Sequence, residues 1–173
     1  SIGELARTFR AERIGRRTKI FGLLGNPVRL SRGTAYHNAR FRRRGCDAVY
    51  VNFLSDDAEE FIRTFGDLVT GVSVTMPFKS HILPFLDAVE GEAGSVEAVN
   101  TVLRRRGRLL GCNTDVPAIR ALLRSWGSAR GKRVLVLGTG AMASAMTHVV
   151  SSAGAQVTVL GRTGDRARGL AAR

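Results

Sequence analysis

Apolar residues in this chain fall in short runs closed by glycine, proline or charged side chains. Three such runs come early: residues 19–24 (Lys-Ile-Phe-Gly-Leu-Leu), 48–54 (Ala-Val-Tyr-Val-Asn-Phe-Leu) and 71–75 (Gly-Val-Ser-Val-Thr). Short runs rich in valine, isoleucine and aromatics predict strands. The stretches between them carry helical spacing. Ser31 or Thr34 is placed to cap a helix over 35–44 that ends at Gly45-Cys46-Asp47. Ser55-Asp56-Asp57 caps another that ends near Phe65, with Phe61, Ile62 and Phe65 inward. Ahead of the first strand, Leu5, Phe9 and Ile14 give weaker helical spacing within residues 1–18. Beyond the third, short helices are predicted over 80–86, limited by Pro84, and over 90–96. Two strands, 99–103 and 108–111, flank a turn at Arg106-Gly107. A helix over 116–126 follows, with Pro117 in its first turn and Ile119, Leu122, Leu123 and Trp126 on one face. The β-α-β-α-β-α order implies an α/β fold with a mainly parallel sheet.

After a small polar linker at 127–131 the strand–helix alternation resumes. Arg133-Val134-Leu135-Val136-Leu137 reads as a buried parallel strand, and Gly138-Thr139-Gly140-Ala141-Met142-Ala143 as the turn into a helix over 141–153. A second strand, 156–160, follows on schedule. A GxGxxA turn in that setting is the dinucleotide fingerprint. Its glycines let the backbone approach a pyrophosphate, and the helix N-terminus attracts the charge. Gly138, Thr139, Gly140, Ala141 and Met142 are therefore candidate cofactor contacts. The end of the second strand discriminates the cofactor. NAD-binding units place an acid there for the ribose hydroxyls. This chain has Gly161-Arg162-Thr163 instead, where Arg162 suits a 2′-phosphate and Thr163 adds a hydroxyl, so NADP is expected. Arg166 is either a second cation for that phosphate or a helix-surface charge. A dinucleotide fold needs further strands for its nicotinamide half, so an incomplete Rossmann domain, a fragment or a truncated protein, is expected.

The third strand carries the most suggestive chemistry. It stops at Pro77, and Lys79 lies directly beyond, with Thr75 at the strand end. In open α/β sheets, ligands sit at the carboxyl ends of strands. The chain has only three lysines against 24 arginines, so a lysine here suits a task arginine cannot do: losing its proton. Asp115, at the start of the 116–126 helix, reads either as a cap or as a carboxylate kept ionised by the helix terminus.

The net charge of +13 raises nucleic-acid binding as a function. The Arg42-Arg43-Arg44 and Arg104-Arg105-Arg106 clusters lack interleaved aromatics, and they fit a helix C-terminus and a hairpin tip, so no nucleic-acid partner is expected. No apolar run is long enough to span a bilayer and no signal peptide is recognisable, so no membrane association is expected. Cys46 and Cys112 have neither metal-like spacing nor the makings of a disulfide framework, which predicts no metal and a cytoplasmic protein.

Taken together, these stretches resemble the shikimate dehydrogenase family over about residues 19–173. The family's Gly-Asn-Pro turn, lid serine and His-Asn pair appear as Gly25-Asn26-Pro27, Ser31 and His37-Asn38. Its Val-Thr-x-Pro-x-Lys is Val74-Thr75-Met76-Pro77-Phe78-Lys79. Its Ala-Val-Asn-Thr is Ala98-Val99-Asn100-Thr101, its Asn-Thr-Asp is Asn113-Thr114-Asp115, and its phosphate clamp is Gly161-Arg162-Thr163. Residues 5–14 also resemble the connector of fused dehydroquinate dehydratase–shikimate dehydrogenases.

The resemblance implies a connector over 1–18, a substrate-binding catalytic domain over 19–115 and an NADP-binding Rossmann domain over 116–173. It implies reversible, NADPH-dependent reduction of 3-dehydroshikimate to shikimate in aromatic amino acid biosynthesis. Ser31 would bind the carboxylate, with Gly33 at the second lid position; Thr75, Asn100 and Asp115 would hold hydroxyls. Lys79 would exchange the proton, and Asp115 would orient and polarise. A monomer or homodimer is implied, with possible fusion to or association with a dehydratase domain. The lid departs from the family: Gly33 replaces the second serine, Thr34 the following proline and Leu30 a histidine. Either Thr34, Arg29 or Arg32 substitutes for the lost hydroxyl, or the acid differs. Glu97 and Gly161 replace a family glycine and asparagine, and Val116-Pro117-Ala118 replaces glycine-rich residues. A quinate-acting relative, or a weakly catalytic regulatory homologue, is the alternative.

Overall fold

The structure is a computed structural model that describes residues 2–172, with the side chain of Ile2 left aside. The first residue of the expected 1–18 helix and Arg173 lie outside the described residues. The elements in order are α1 (Ile2–Phe9), β1 (Lys19–Gly25), α2 (Gly33–Arg43), β2 (Ala48–Leu54), α3 (Ala58–Phe65), β3 (Val69–Val74), β4 (Ala88–Val89), β5 (Thr101–Arg105), β6 (Arg108–Cys112), α4 (Asp115–Trp126), β7 (Arg133–Leu137), α5 (Ala141–Ser152), β8 (Gln156–Leu160) and α6 (Gly164–Ala171). Six strands pair in the order β2-β1-β3-β5-β6-β4, and β7 pairs with β8 in a separate sheet. Pairing is parallel for β1–β2, β1–β3 and β7–β8 and antiparallel for β3–β5. The expected α/β fold with a mainly parallel sheet is observed.

The chain forms two compact units, residues 1–88 with 101–110, and residues 89–100 with 111–173. In the first unit the strands bury Leu24, Val49, Val72, Val74 and Val102, while Phe61 of α3 is 3% exposed. The rings of Phe53, Phe61 and Phe65 lie 5.1–5.6 Å apart, which leaves Phe65 packed though partly exposed. Asp57 caps α3, accepting from the Glu59 and Glu60 amides at 2.7 and 3.1 Å. Arg106 and Gly107, both at positive φ, form the two-residue turn between β5 and β6. Arg104 is tied down by Asp67 at 2.7 Å, and Arg105, Arg106 and Arg108 stand exposed.

Several expected elements differ. The predicted 80–86 helix is a turn followed by a 3₁₀ turn, Leu83–Phe85, because Pro84 supplies no amide to an α-helical ladder. The predicted 90–96 helix shrinks to a 3₁₀ turn, Gly91–Ala93, opened by Gly91 at φ 61. Neither Ser31 nor Thr34 caps α2; its N-cap residue is Arg32, and Ser31 Oγ instead accepts from the Gly33 amide at 3.1 Å. Residues 1–18 hold α1 and a 3₁₀ turn, Ala11–Arg13, separated by Arg10 in the left-handed region.

In the second unit, Val96, Ala98, Val116, Ile119, Ala145 and Val149 form one cluster, with Leu123 packed against it. Trp126, expected inward, is 72% exposed at the last position of α4. β7 is parallel as expected but not buried. Val134 and Val136 pack with Val157 and Val159 beneath α5 and α6, while Leu135, Leu137 and Leu160 on the other face are exposed. An all-apolar run predicts burial on both faces, and here helices cover one.

Glu92 joins three elements of this unit. Its carboxylate accepts from Arg120 of α4 at 2.7 and 2.5 Å and lies 2.8 Å from His148 Nε2 of α5. Hydrogen bonding from Arg120, then from His148, lowers its pKa from 4.5 to about 2. A depressed carboxyl pKa stabilises the fold above the ordinary value, and that contribution fades as pH falls from 4.5 toward about 2. The Glu92 side chain is 36% exposed, so solvent screening keeps the gain to about 1 kcal/mol or less. Glu92→Gln should lose that increment at neutral pH. Denaturant unfolding of both proteins should draw together as pH falls from 4.5 and converge only at about pH 2; a gap that persists there would remove the ionic explanation.

Candidate functional site

β1 and β3 are neighbours in register, so their carboxyl ends emerge side by side. Each continues into a turn with a cis peptide before proline, Asn26-Pro27 and Met76-Pro77. The Asn26 amide donates to Met76 O at 2.9 Å, and the Thr75 amide to Leu24 O at 2.9 Å, which binds the two turns together. Gly25 is required at this crossing: a Cβ there would meet Thr75 Cγ2 at 2.3 Å and Met76 O at 2.8 Å. Thr75 therefore stands at the sheet edge. Lys79 lies one turn further and is half-buried, on a segment whose Phe78 and Ile82 are 3% and 0% exposed.

The loop from β1 to α2 supplies Ser31 and Gly33. A Cβ on Gly33 would lie 3.1 Å from Ser31 Oγ and 3.5 Å from Tyr50 Oη. Tyr50 was not singled out by sequence reasoning, nor was Ser73. The Tyr50 ring is buried, its hydroxyl is hydrogen-bonded with Ser73, and burial outweighs that bond in raising its pKa. His37 stacks on Tyr50 at 4.4 Å, and burial followed by the nearby Arg40 lowers its pKa. These side chains line a cavity of about 220 Å³ with Phe21 and Thr101. A buried aromatic with a hydroxyl facing a loop is the signal that could have found Tyr50, but only the fold places the loop there. Thr34 of α2 donates to Asn52 Oδ1 of β2 at 2.9 Å, so its hydroxyl proton is engaged by the sheet. Arg29 and Arg32 are exposed.

In the second unit, Asn100 and Asp115 sit in one hydrogen-bonded corner. Asn100 Oδ1 accepts from the Thr114 amide at 2.9 Å, and its Nδ2 donates to Thr114 Oγ1 at 3.0 Å. Asn113 Oδ1 accepts from the Asp115 and Val116 amides at 2.8 and 3.2 Å, and Asn113 Nδ2 donates to Ala98 O at 2.9 Å. Asn113 thus caps α4, and the capping role considered for Asp115 falls to its neighbour. Asn113 is 8% exposed and fixes the start of the helix that carries Asp115. Glu97, the non-glycine at a family glycine position, lies at φ 48, where glycine alone is free of strain.

The dinucleotide motif takes its expected place. β7 and β8 end in register at Leu137 and Leu160, so the Gly138 turn and Arg162-Thr163 emerge together. Gly138 adopts φ 111, and its amide donates to Leu160 O at 2.7 Å. Gly140 precedes α5, and no side chain caps the helix, so its first amides at Ala141, Met142 and Ala143 are available to an anion. A Cβ on Gly161 would meet Thr139 Cγ2 at 2.5 Å, so Thr139 occupies the space an asparagine there would need. Arg162 and Thr163 are exposed, and Arg162 has no ion-pair partner among the described residues. Among the described residues no cluster suits a metal, and no helix is long and apolar enough to cross a membrane.

Comparison with known proteins gives a consistent picture. The shikimate dehydrogenase substrate binding domain matches residues 23–102, and the shikimate/quinate 5-dehydrogenase family matches residues 121–173. A shikimate dehydrogenase (NADP(+)) of Pyrococcus abyssi is 37% identical over 155 residues, covering 88% of this chain and 58% of its own length. The bifunctional 3-dehydroquinate dehydratase/shikimate dehydrogenase of Arabidopsis thaliana chloroplasts is 35% identical over 188 residues, covering 99% of this chain and 31% of its own. The crystal structure of shikimate dehydrogenase from Aquifex aeolicus superimposes with a TM-score of 0.83 at 36% identity, over 92% of this chain and 61% of that one. The chain thus spans little more than half the length of the monofunctional relatives it matches.

Proposed function

The chain belongs to the shikimate dehydrogenase family, and from that premise we propose that its protein reduces 3-dehydroshikimate to shikimate with NADPH, reversibly. The observation that carries this reading is the presentation of Lys79 and Thr75 just past the joined ends of β1 and β3, on a segment anchored by buried Phe78 and Ile82. Residues 19–115 bind the substrate and residues 116–173 bind NADP, while residues 1–18 act as a connector.

In this reading Ser31 binds the substrate carboxylate, and Tyr50 adds a hydroxyl beside the bare position at Gly33. Thr75, Asn100 and Asp115 hold ring hydroxyls. With NADPH bound, a hydride would be supplied to the ketone carbon and the carbonyl electron pair would be left on oxygen as an alkoxide. Lys79 delivers a proton to that oxygen and Asp115 orients and polarises the group. In the oxidative direction the same lysine removes the proton. Such a positioned acid/base group contributes about 10²–10⁴-fold.

The residues present fit NADP. The open first turn of α5 and the glycines at 138 and 140 suit a pyrophosphate, and Arg162 with Thr163 suits a 2′-phosphate. When bound, the nicotinamide supplies the hydride; these residues bind and orient it. Expressed in the cytoplasm, as a monomer or homodimer, the protein would serve aromatic amino acid biosynthesis. The match to the bifunctional relative extends over the connector, which supports association with a dehydratase domain.

The altered lid favours a second reading, a quinate-acting or weakly catalytic relative. Gly33→Ser discriminates. The new Cβ would sit 3.1 Å from Ser31 Oγ, so the lid must shift by a few tenths of an ångström. If the lid merely lost a hydroxyl, KM for shikimate should fall about fivefold, the value of one weak hydrogen bond. An unchanged or raised KM would show that Tyr50 already fills that role. Steady-state rates with shikimate and quinate test the function itself.

A further inference from the structure

Much of the wall of one recess lies ahead of residue 23, where the substrate-binding domain match begins. Here α1 and the 3₁₀ turn Ala11–Arg13 face the end of α2 and the start of β2 around an opening of about 760 Å³. That volume lies within the range of small-molecule clefts. Arg7, Arg10, Arg13 and Arg42 line it. None of the four has an ion-pair partner among the described residues. Glu12 and Asp47 also line the recess, and Asp47 Oδ1 is occupied by Thr18 Oγ1 at 2.8 Å. Positive charge therefore remains in excess.

Two features separate this from a solvated surface. Four arginines line one opening, like charges within about a Debye length, 8 Å at physiological salt, repel one another, and among the described residues none of the four has a carboxylate at ion-pair distance. Arg10 also holds φ 52 and ψ 51, a conformation that glycine adopts without strain and arginine does not. A planar guanidinium binds oxyanions through two parallel N–H donors. The arginines ring a recess rather than forming a track, which suits a compact ligand over an extended polymer.

We propose that this recess binds a compact polyanion bearing two or more phosphoryl groups, through the guanidinium groups of Arg10, Arg13 and Arg42. The site is independent of the dehydrogenase reading. Cys46 lines the same recess and is exposed, which provides a reporter in the unmodified protein.

Inorganic triphosphate is the probe, titrated by calorimetry into the full chain at about 0.15 M ionic strength. The expected result is saturable binding of one equivalent, together with slower reaction of the Cys46 thiol with a disulfide reagent and unchanged reaction at Cys112. Arg10→Gly/Arg42→Ala should weaken binding about tenfold or more without lowering Tm, since charge-assisted bonds are lost and backbone strain is relieved. Arg63→Ala/Arg105→Ala removes the same charge elsewhere and should leave affinity unchanged. Equal weakening in both variants, no saturation, or unprotected Cys46 would overturn the proposal. So would tighter binding of an acidic peptide or of DNA than of triphosphate.

Discussion

Lys79→Ala should lower turnover of 3-dehydroshikimate by about 10²–10⁴-fold, the usual worth of a positioned proton donor. The affinity for NADP should stay within about twofold, because the residues assigned to the cofactor do not include that amine. The backbone around the substitution is anchored by its neighbours. Phe78 and Ile82, at 3% and 0% exposed, anchor the segment, and the Phe78 amide donates to Thr75 O at 2.9 Å. None of these contacts uses the lysine side chain. Lys79→Arg sharpens the test: it keeps the charge and removes the titratable proton, so it should remain nearly inactive. Wild-type turnover in either variant would contradict the proton role, and a parallel fall in NADP affinity would point to misfolding.

Arg162→Ala should weaken NADP about 10–100-fold and leave NAD nearly unchanged, since a hydrogen bond to a charged group is worth about 1.5–3 kcal/mol. Arg162 is exposed where β8 ends beside the Gly138 turn. The nearby open start of α5 serves a pyrophosphate that both cofactors carry, so it does not discriminate. Titration of each cofactor against both proteins reads the ratio directly. Equal losses would rule out the phosphate clamp and leave Arg162 as general electrostatic attraction.

Much of the fold was legible because its signals are local. The runs at Lys19–Gly25, Ala48–Leu54 and Val69–Val74 are apolar, short and closed by Gly-Asn-Pro, Ser-Asp-Asp or Met-Pro. The Gly138-to-Ala143 turn likewise states its geometry in glycines. What failed was set partly by single residues inside a run and partly elsewhere in the chain. Residues 80–86 and 90–96 have helix-compatible composition, but Pro84 and the left-handed Gly91 leave each only a single short turn. Leu135 and Leu137 look like core residues, and whether such positions are buried depends on what covers the sheet face, which the run itself does not encode.

The candidate site divides in the same way. Lys79, Thr75 and Asp115 stood out by type and position along the chain, and Asn100 through the family resemblance. Tyr50 and Ser73 did not, since each is an ordinary strand residue until the fold brings Gly33 to the Tyr50 hydroxyl and that hydroxyl to Ser73. Asn113 looked like part of a motif and is also the cap that fixes Asp115, which takes an atom-level distance to see. Glu92 and His148 are 56 residues apart, beyond any periodicity.

The most direct test of the dehydrogenase assignment is the steady-state rate of NADP reduction by shikimate with the purified protein. The account predicts saturable turnover, faster with NADP than with NAD. Binding of shikimate without any turnover of shikimate or quinate, with either cofactor, would contradict it.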